Sequence, residues 1–262
     1  MVKPVALVTG ASSGIGLELS RLLAAAGHDL VLAARSAERL DQTVRELHDR
    51  YSVQVESRRR DLSEPGAAET LWRELMAEGV AVDILVNNAG VGLHGAFGQQ
   101  DPEAISRLVT LNVTALTTLT RLALPEMLTR RSGRILNVAS LVAFQPGGPQ
   151  EAVYYASKSF VLSFSKGLAR ELRGSGVSVT ALCPGPTKTS FEATAGATDT
   201  VLYKWMPSMT ASVVARAGYR GMMRGSGVVI PGVVSKLLAL AGELPPRRIA
   251  LEVNRLLLRP LR

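Results

Sequence analysis

Cysteine is almost missing: Cys183 is the only one in 262 residues, so no internal disulfide can form and nothing calls for an oxidising compartment. Aromatic residues make up 5% of the chain, and none is interleaved with its basic clusters at Arg58, Arg59 and Arg60, at Arg130, Arg131 and Arg134, and in the C-terminal tail. Without rings on which bases stack, a net charge of +8 and a pI near 10.1 do not make nucleic acid an expected partner. The clusters read instead as solvated helix ends and loops. No uninterrupted apolar run approaches the ~20 residues of a spanning helix, and the apolar part of the opening MVKPVALVTG is too short for a secretory leader. Cytoplasm is the expected location. Internal repeats, low-complexity segments and linkers rich in Pro, Gly or Ser are missing too, so residues 1–262 read as one domain.

What is present is alternation. Short stretches over 5–8, 30–33, 53–57, 84–86, 134–138, 177–182 and 228–230, most of them apolar, read as seven strands. Between them, helical spacing predicts helices over 15–26, 37–51, 67–78, 102–116 with a continuation to 131, and 154–173. Strands apolar throughout and separated by helices imply a parallel sheet covered on both faces, an α/β doubly wound Rossmann-type architecture. Residues 186–226 are expected to contain a substrate lid outside the sheet.

Between the first strand and helix lies TGASSGIG, where Gly10, Gly14 and Gly16 let a phosphate approach backbone N–H groups at a helix N-terminus. A tight turn with no ligand is the bland alternative, weakened by the placement at the first βα connection. Ser12, Ser13 and Ile15 complete this expected cofactor contact. At the end of the second strand the sequence is LAARS: Ala34 offers no carboxylate for a ribose, and Arg35 offers a guanidinium suited to a 2′-phosphate, with Ser36 as a further donor. This predicts NADP(H) over NAD(H), unless Arg35 is only a surface residue at a helix start.

Tyr154 and Lys158 stand four residues apart in a helical segment and therefore share one face. An ammonium beside the phenol is expected to lower its pKa from ~10 toward neutrality, which suits proton transfer. Ser140, ending the fifth strand, can donate to a substrate oxygen and polarise a carbonyl. TGASSGIG, NNAG at 87–90, Asn112 in LNV, Ser140, YYASK at 154–158 and the Pro184-Gly185 pair together resemble the short-chain dehydrogenase/reductase family over residues 5–190. The resemblance implies a hydride-transferring oxidoreductase acting on a carbonyl or alcohol, with Tyr154 as acid/base. It also implies that Asn112 holds a water on a proton relay to Lys158, which itself contacts the nicotinamide ribose. Asn88, Ala89 and Gly90 would lie along the cofactor, Asp61 and Leu62 would border the adenine, and Pro184, Gly185 and Thr187 would hold the nicotinamide. No metal is implied.

Tyr155 lacks the offset to Lys158 and reads as a packing or pocket residue, and Ser157 is expected to point away from the site. The 14 residues from Ser140 to Tyr154 exceed the commonest family spacing by one, assigned to the QPGGPQ loop. Cys183 reads as a small buried hydrophobe, and His94 as an edge of the pocket rather than a catalyst. Leu93, Phe97, Val142, Phe144, Phe191, Trp205 and Met206 are the expected pocket residues, so an apolar ketone, aldehyde or secondary alcohol is the expected substrate. For Trp205 and Met206 core packing is as good a reading as a lid. The tail over 232–262 has two apolar helical pieces about Pro245 and Pro246; the second carries Arg247, Arg248, Arg255, Arg259 and Arg262 against Glu252. It reads as a basic amphipathic helix that either touches an anionic membrane surface or packs on a partner subunit or its own domain. A homo-oligomer, a dimer rather than a tetramer, is expected. The alternative to an enzyme is a catalytically silent NADP(H)-binding regulator or scaffold.

Overall fold

Along the first strand, alternate side chains already sort the interior into two layers: Ala6 and Val8 join one apolar cluster, Leu7 the other. The computed structural model describes residues 3–189, 208–243 and 247–258. In chain order its elements are β1 (Val5–Thr9), α1 (Gly14–Ala25), β2 (Asp29–Ala34), α2 (Ala37–Arg50), β3 (Val55–Arg59), α3 (Ala67–Ala77) and β4 (Val82–Asn87). There follow α4 (Pro102–Val109), α5 (Leu116–Thr129), β5 (Gly133–Val138), α6 (Ala152–Glu171) and β6 (Val177–Leu182). With the edge strand Val228–Val229 they build a seven-stranded sheet in the order β3-β2-β1-β4-β5-β6-edge, every neighbouring pair parallel. This is the doubly wound Rossmann-type α/β fold. The strand order reverses between β1 and β4, and a crevice opens there beyond the carboxyl ends of the strands.

One layer packs Leu19, Leu23, Leu40 and Leu47 from α1 and α2 on the sheet; the other packs Leu71, Leu75, Leu119 and Met127 from α3 and α5. Each such leucine removed from water stabilises the fold by about 1.5–3 kcal/mol. Ser36 caps α2 by accepting from Arg39 N, and Asp101 caps α4 ahead of Pro102 by accepting from Glu103 N. Pro102–Thr129 is a continuous helical run long and apolar enough to span a bilayer, yet Leu108, Leu111, Leu116, Leu119, Ala123 and Met127 along it are buried within this chain. Its middle, Thr110–Ala115, is a single π-turn.

Several expected boundaries move: α6 starts and ends two residues earlier than its spacing suggested, and β4 extends beyond 84–86 at its N-terminal side by two residues and at its C-terminal side by one. The third strand, Val55–Arg59, begins and ends two residues later than the expected 53–57; it is a sheet edge paired only with β2. Its exposed positions, Glu56 and Arg59, hold charge; half-buried Arg58 binds Glu56 and Glu78, and beyond the strand Arg60 binds Glu74 at 2.6 Å. Within the span expected to be a lid, Ala211–Met223 is a helix whose Val214, Ala215 and Met222 lie in the core beside α1. A lid reading is thereby narrowed to residues before 211, of which 190–207 lie outside the described residues.

Candidate active site

The crevice at the strand ends is one cavity of about 910 Å³. At its first edge, the Thr9 hydroxyl accepts from Asn88 N and Ala89 N, both at 3.0 Å, and Asn88 Nδ2 donates to the carbonyls of Thr9 and Gly10. These bonds hold the ends of β1 and β4 side by side. Gly16 is not on the cavity wall. A Cβ there would come within 2.3 Å of Gly10 O, so its hydrogen is what lets α1 start so close to the turn. Gly10, Ser12, Ser13, Gly14 and Ile15 do face the cavity, placing the unpaired N–H groups of the first helical turn toward it.

Farther along, Ala34, Arg35, Ser36, Asp61 and Leu62 form the next stretch of wall. The sequence reading missed two further cations there, Arg39 and Arg60. Arg39 is the first-turn residue of α2 whose N–H the Ser36 hydroxyl caps, a position only the helix start could have indicated. Burial pushes the Asp61 carboxyl up, but hydrogen bonds from Ser63 and the charges of Arg35 and Arg107 hold it below its usual range.

At the sheet centre a buried polar ladder joins helices to strands: Asn87 Nδ2 reaches Thr120 Oγ1 and Asn137 Oδ1, and Asn137 Nδ2 reaches Ser165 Oγ. Next to it α6 delivers Tyr154 and Lys158 to the cavity, both buried, with the ammonium nitrogen 6.0 Å from the phenol ring centroid. Ser140 ends the loop after β5 and its hydroxyl hydrogen bonds Tyr154. Lys158 Nζ donates to Val138 O at 3.0 Å, and burial pulls its pKa down to about 8. Tyr154 differs from expectation. Burial raises its pKa above the ordinary value, the Ser140 hydrogen bond opposes this only partly, and Glu151 adds to the rise. Lys158 does not dominate because it is itself desolvated and spends a hydrogen on a backbone carbonyl.

Asn112 sits in the π-turn with both ends of its side chain bonded to protein: Oδ1 accepts from Val91 N, while Nδ2 donates to Val91 O and Ser157 Oγ. It is buried, off the cavity wall, though a Cβ on Gly90 would lie 3.2 Å from both Asn112 Oδ1 and Lys158 Nζ. Ser157 turns its hydroxyl to Tyr154 O, away from the cavity. Ala89, Gly90, Pro184, Gly185 and Thr187 face the cavity; Cys183 is buried in an apolar cluster.

The substrate side is built differently from expectation. Of the apolar candidates Val142 lines the cavity. Leu93 packs behind Tyr154 and Tyr155, Phe144 turns into the core under Lys166, and Phe97 is 62% exposed. Leu141 and Phe144 are one turn apart on a three-residue-per-turn helix, so both reach the same core cluster. Phe191, Trp205 and Met206 lie outside the described residues. The wall comes instead from the tail, which packs on its own chain. Leu238, Ala241 and Gly242 of the helix Val233–Glu243, and Val253 and Asn254 of the helix Arg247–Leu257, close the cavity. Gln145 Nε2 donates to Leu238 O and Asn254 Nδ2 to Gly147 O, while Leu258 is buried against Tyr154 and Tyr155. Glu151, also unanticipated, stands on the same wall. Among the described residues no three His, Cys, Asp or Glu side chains gather as metal ligands do.

Residues 4–200 match the family model described as short chain dehydrogenase. The protein assigned as ketoacyl reductase 1 of the granaticin polyketide synthase of Streptomyces violaceoruber is 40% identical over 193 residues, covering 71% of this chain and 69% of the relative. Among solved structures, the short-chain dehydrogenase from Sphingobium yanoikuyae in complex with NADPH is 38% identical, covers 91% of this chain and 92% of its own, and superposes with a TM-score of 0.81. The bulky-bulky ketone specific alcohol dehydrogenase from Comamonas testosteroni is 31% identical, with 93% and 95% covered and a TM-score of 0.76. With its own elements in the same arrangement, this chain belongs to the short-chain dehydrogenase/reductase family of oxidoreductases.

Proposed function

We propose that the protein is an NADP(H)-dependent carbonyl reductase in which Tyr154 transfers the proton. The observation that carries this reading is the meeting of Tyr154, Ser140 and Lys158 in a cavity that also holds a glycine turn and three arginines, Arg35, Arg39 and Arg60. A dinucleotide phosphate fits the residues present. The helix N-terminus supplies N–H donors, and Arg35 and Arg39 supply cations where a carboxylate would repel a 2′-phosphate. Lys158 is placed to hold a ribose hydroxyl. When bound, the nicotinamide supplies the hydride.

For the reduction, Tyr154 is in the useful state: burial keeps its hydroxyl protonated, so it can donate to the carbonyl oxygen. Ser140 donates to the same oxygen and orients it. Asn112, bonded to Val91 and Ser157, fixes the wall behind Lys158. The NADPH complex of the Sphingobium relative and the ketone named for the Comamonas enzyme support the cofactor and the substrate class. In a screen of ketones the wild-type protein is expected to oxidise NADPH, and Tyr154→Phe to bind NADPH normally while turnover falls by about 10²–10⁴-fold. Full turnover by that variant overturns the assignment and leaves the silent cofactor-binding scaffold as the better reading.

We infer further that the helix Val233–Glu243 rests on an anionic membrane surface. It turns Val233, Val234, Leu237 and Leu240 outward, each more than half exposed, in a chain of net charge +8. A dimer fits the apolar residues Val109, Leu128 and Phe160 exposed on the α4–α6 layer.

A further inference from the structure

Glu151 immediately precedes α6, one turn before Tyr154, and turns into the cavity instead of outward. Its side chain is only 5% exposed, and Oε1 lies 3.3 Å from Nδ1 of His94, itself 9% exposed. Among the described residues His94 is the one side chain hydrogen bonded to this carboxyl. The inward pose is enforced by backbone. Gln150 adopts φ +70°, a left-handed conformation that costs a non-glycine residue free energy. Bonds from Gly95 N and Gln100 Nε2 to Gln150 O hold it, as does Glu151 N donating to Gly148 O. Gly148 in turn carries the Tyr155 ring, which a Cβ would meet at 2.3 Å.

A carboxyl so held in a wall of Val142, Tyr155, Leu238 and Val253 is expensive to desolvate, and one imidazole does not restore what water supplied. Burial pushes Glu151 up to about 7 and lowers His94, so near neutrality the carboxyl can both accept and donate. A ligand hydroxyl is the group that suits both states. We propose that Glu151, positioned by His94, is a substrate-recognition site for a hydroxyl, so that the favoured substrate is a hydroxylated ketone rather than a uniformly apolar one. This rests on the carbonyl-reductase reading above and names its substrate class. Glu151 and Tyr154 line the same cavity, and the carboxyl is close enough to act on the phenol electrostatically, which sets the hydroxyl a few bonds from the reacting carbonyl.

The test is a set of matched ketone pairs, identical but for one hydroxyl at that separation, assayed by NADPH oxidation with the full chain. Wild-type protein is expected to prefer the hydroxylated member about 10- to 100-fold in kcat/KM, the range of one hydrogen bond to a charged or polar buried group. In Glu151→Leu the ratio should fall to about one, chiefly through the KM of the hydroxylated member, and in His94→Asn it should fall partway. Where Glu151→Leu does not fold, as judged by its melting transition, the isosteric Glu151→Gln gives the same comparison with a partial loss. A wild-type ratio near one overturns the proposal, as does a Glu151 variant that slows both members alike. Wild-type protein that binds NADPH by fluorescence yet reduces neither member of any pair overturns the carbonyl-reductase reading itself, and this proposal with it.

Discussion

An acid that burial holds near pKa 7 leaves a signature in stability as well as in binding. Between the ordinary 4.5 and about 7, the folded chain keeps the Glu151 proton that the unfolded chain has lost, so stability falls as pH rises through that window. The full effect, present above pH 7, is about 3 kcal/mol by the conversion of 1.36 kcal/mol per pH unit. The two phenols that feel this carboxyl, Tyr154 and Tyr155, titrate above the window, as does Lys158 farther along the same cavity. His94, lowered by burial, acts in the opposite sense below pH 6.5. Glu151→Gln retains His94, so the difference between the two proteins isolates the acid. Denaturant unfolding should show the glutamine variant gaining on wild type from pH 5 to pH 8, and equal pH dependence would contradict the buried acid. At the far end of the cavity, Ala34→Asp with Arg35→Ala should move the NADPH/NADH ratio of kcat/KM toward NADH by 10-fold or more, because a carboxylate then meets the 2′-phosphate. An unchanged ratio would remove Arg35 from the cofactor site. These residues differ in how readable they were. Tyr154 and Lys158 follow from a four-residue offset, and Arg35 from its place after a strand. Glu151 and His94 are 57 residues apart, and only the fold brings them together.

Elements explain where the reading of the chain succeeded and where it went astray. Central strands such as β4 and β5 are apolar through their middles, 84–86 and 135–136, because both faces are covered there, and β5 and β6 were legible nearly to the residue. The edge strand β3 lacks that signal, and its polar residues hid two of its positions. The π-turn at Asn112 has no sequence pattern of its own, yet it sets the side chain against Val91 and Ser157. Residue type alone found Val142 but misplaced Leu93, Phe97 and Phe144, since a Phe at 144 looks alike whether its turn faces core or cavity. The tail's periodicity showed two helices but not their seat. That seat has a consequence: the helix Arg247–Leu257 brings Asn254 to Gly147 O and is followed by Leu258 against the two tyrosines. A chain ending at Glu243 should keep its NADPH affinity within about twofold, because its cofactor contacts are elsewhere, and lose about 10-fold or more in kcat/KM through a higher substrate KM. Unchanged kinetics would mean that the tail does not form the substrate wall.

At the scale of the whole molecule, the same tail has a second side. While Ser235, Ala239 and Gly242 of the helix Val233–Glu243 face the protein, Val233, Val234, Leu237 and Leu240 are 73, 52, 62 and 57% exposed. Half-burying four such side chains in a lipid interface is worth a few kcal/mol, at about 1.5–3 kcal/mol for each one fully buried. Each nearby lysine or arginine adds about 1 kcal/mol on an anionic surface, and Lys236 stands within the apolar ridge. Neither contribution alone gives firm attachment; together they favour weak, salt-sensitive binding beside the mouth of the cavity, where an apolar-bodied substrate would arrive. Sedimentation with vesicles of anionic lipid should therefore carry the protein into the pellet at low salt and release it at high salt, whereas zwitterionic vesicles should retain much less. Val234→Asp with Leu237→Asp should leave the protein in the supernatant, with its NADPH oxidation rate in detergent-free buffer as the check that the cavity is intact. If wild-type protein shows no lipid-dependent pelleting and light scattering gives an assembly larger than twice 27.9 kDa, the ridge is covered by another copy of the chain and not by lipid.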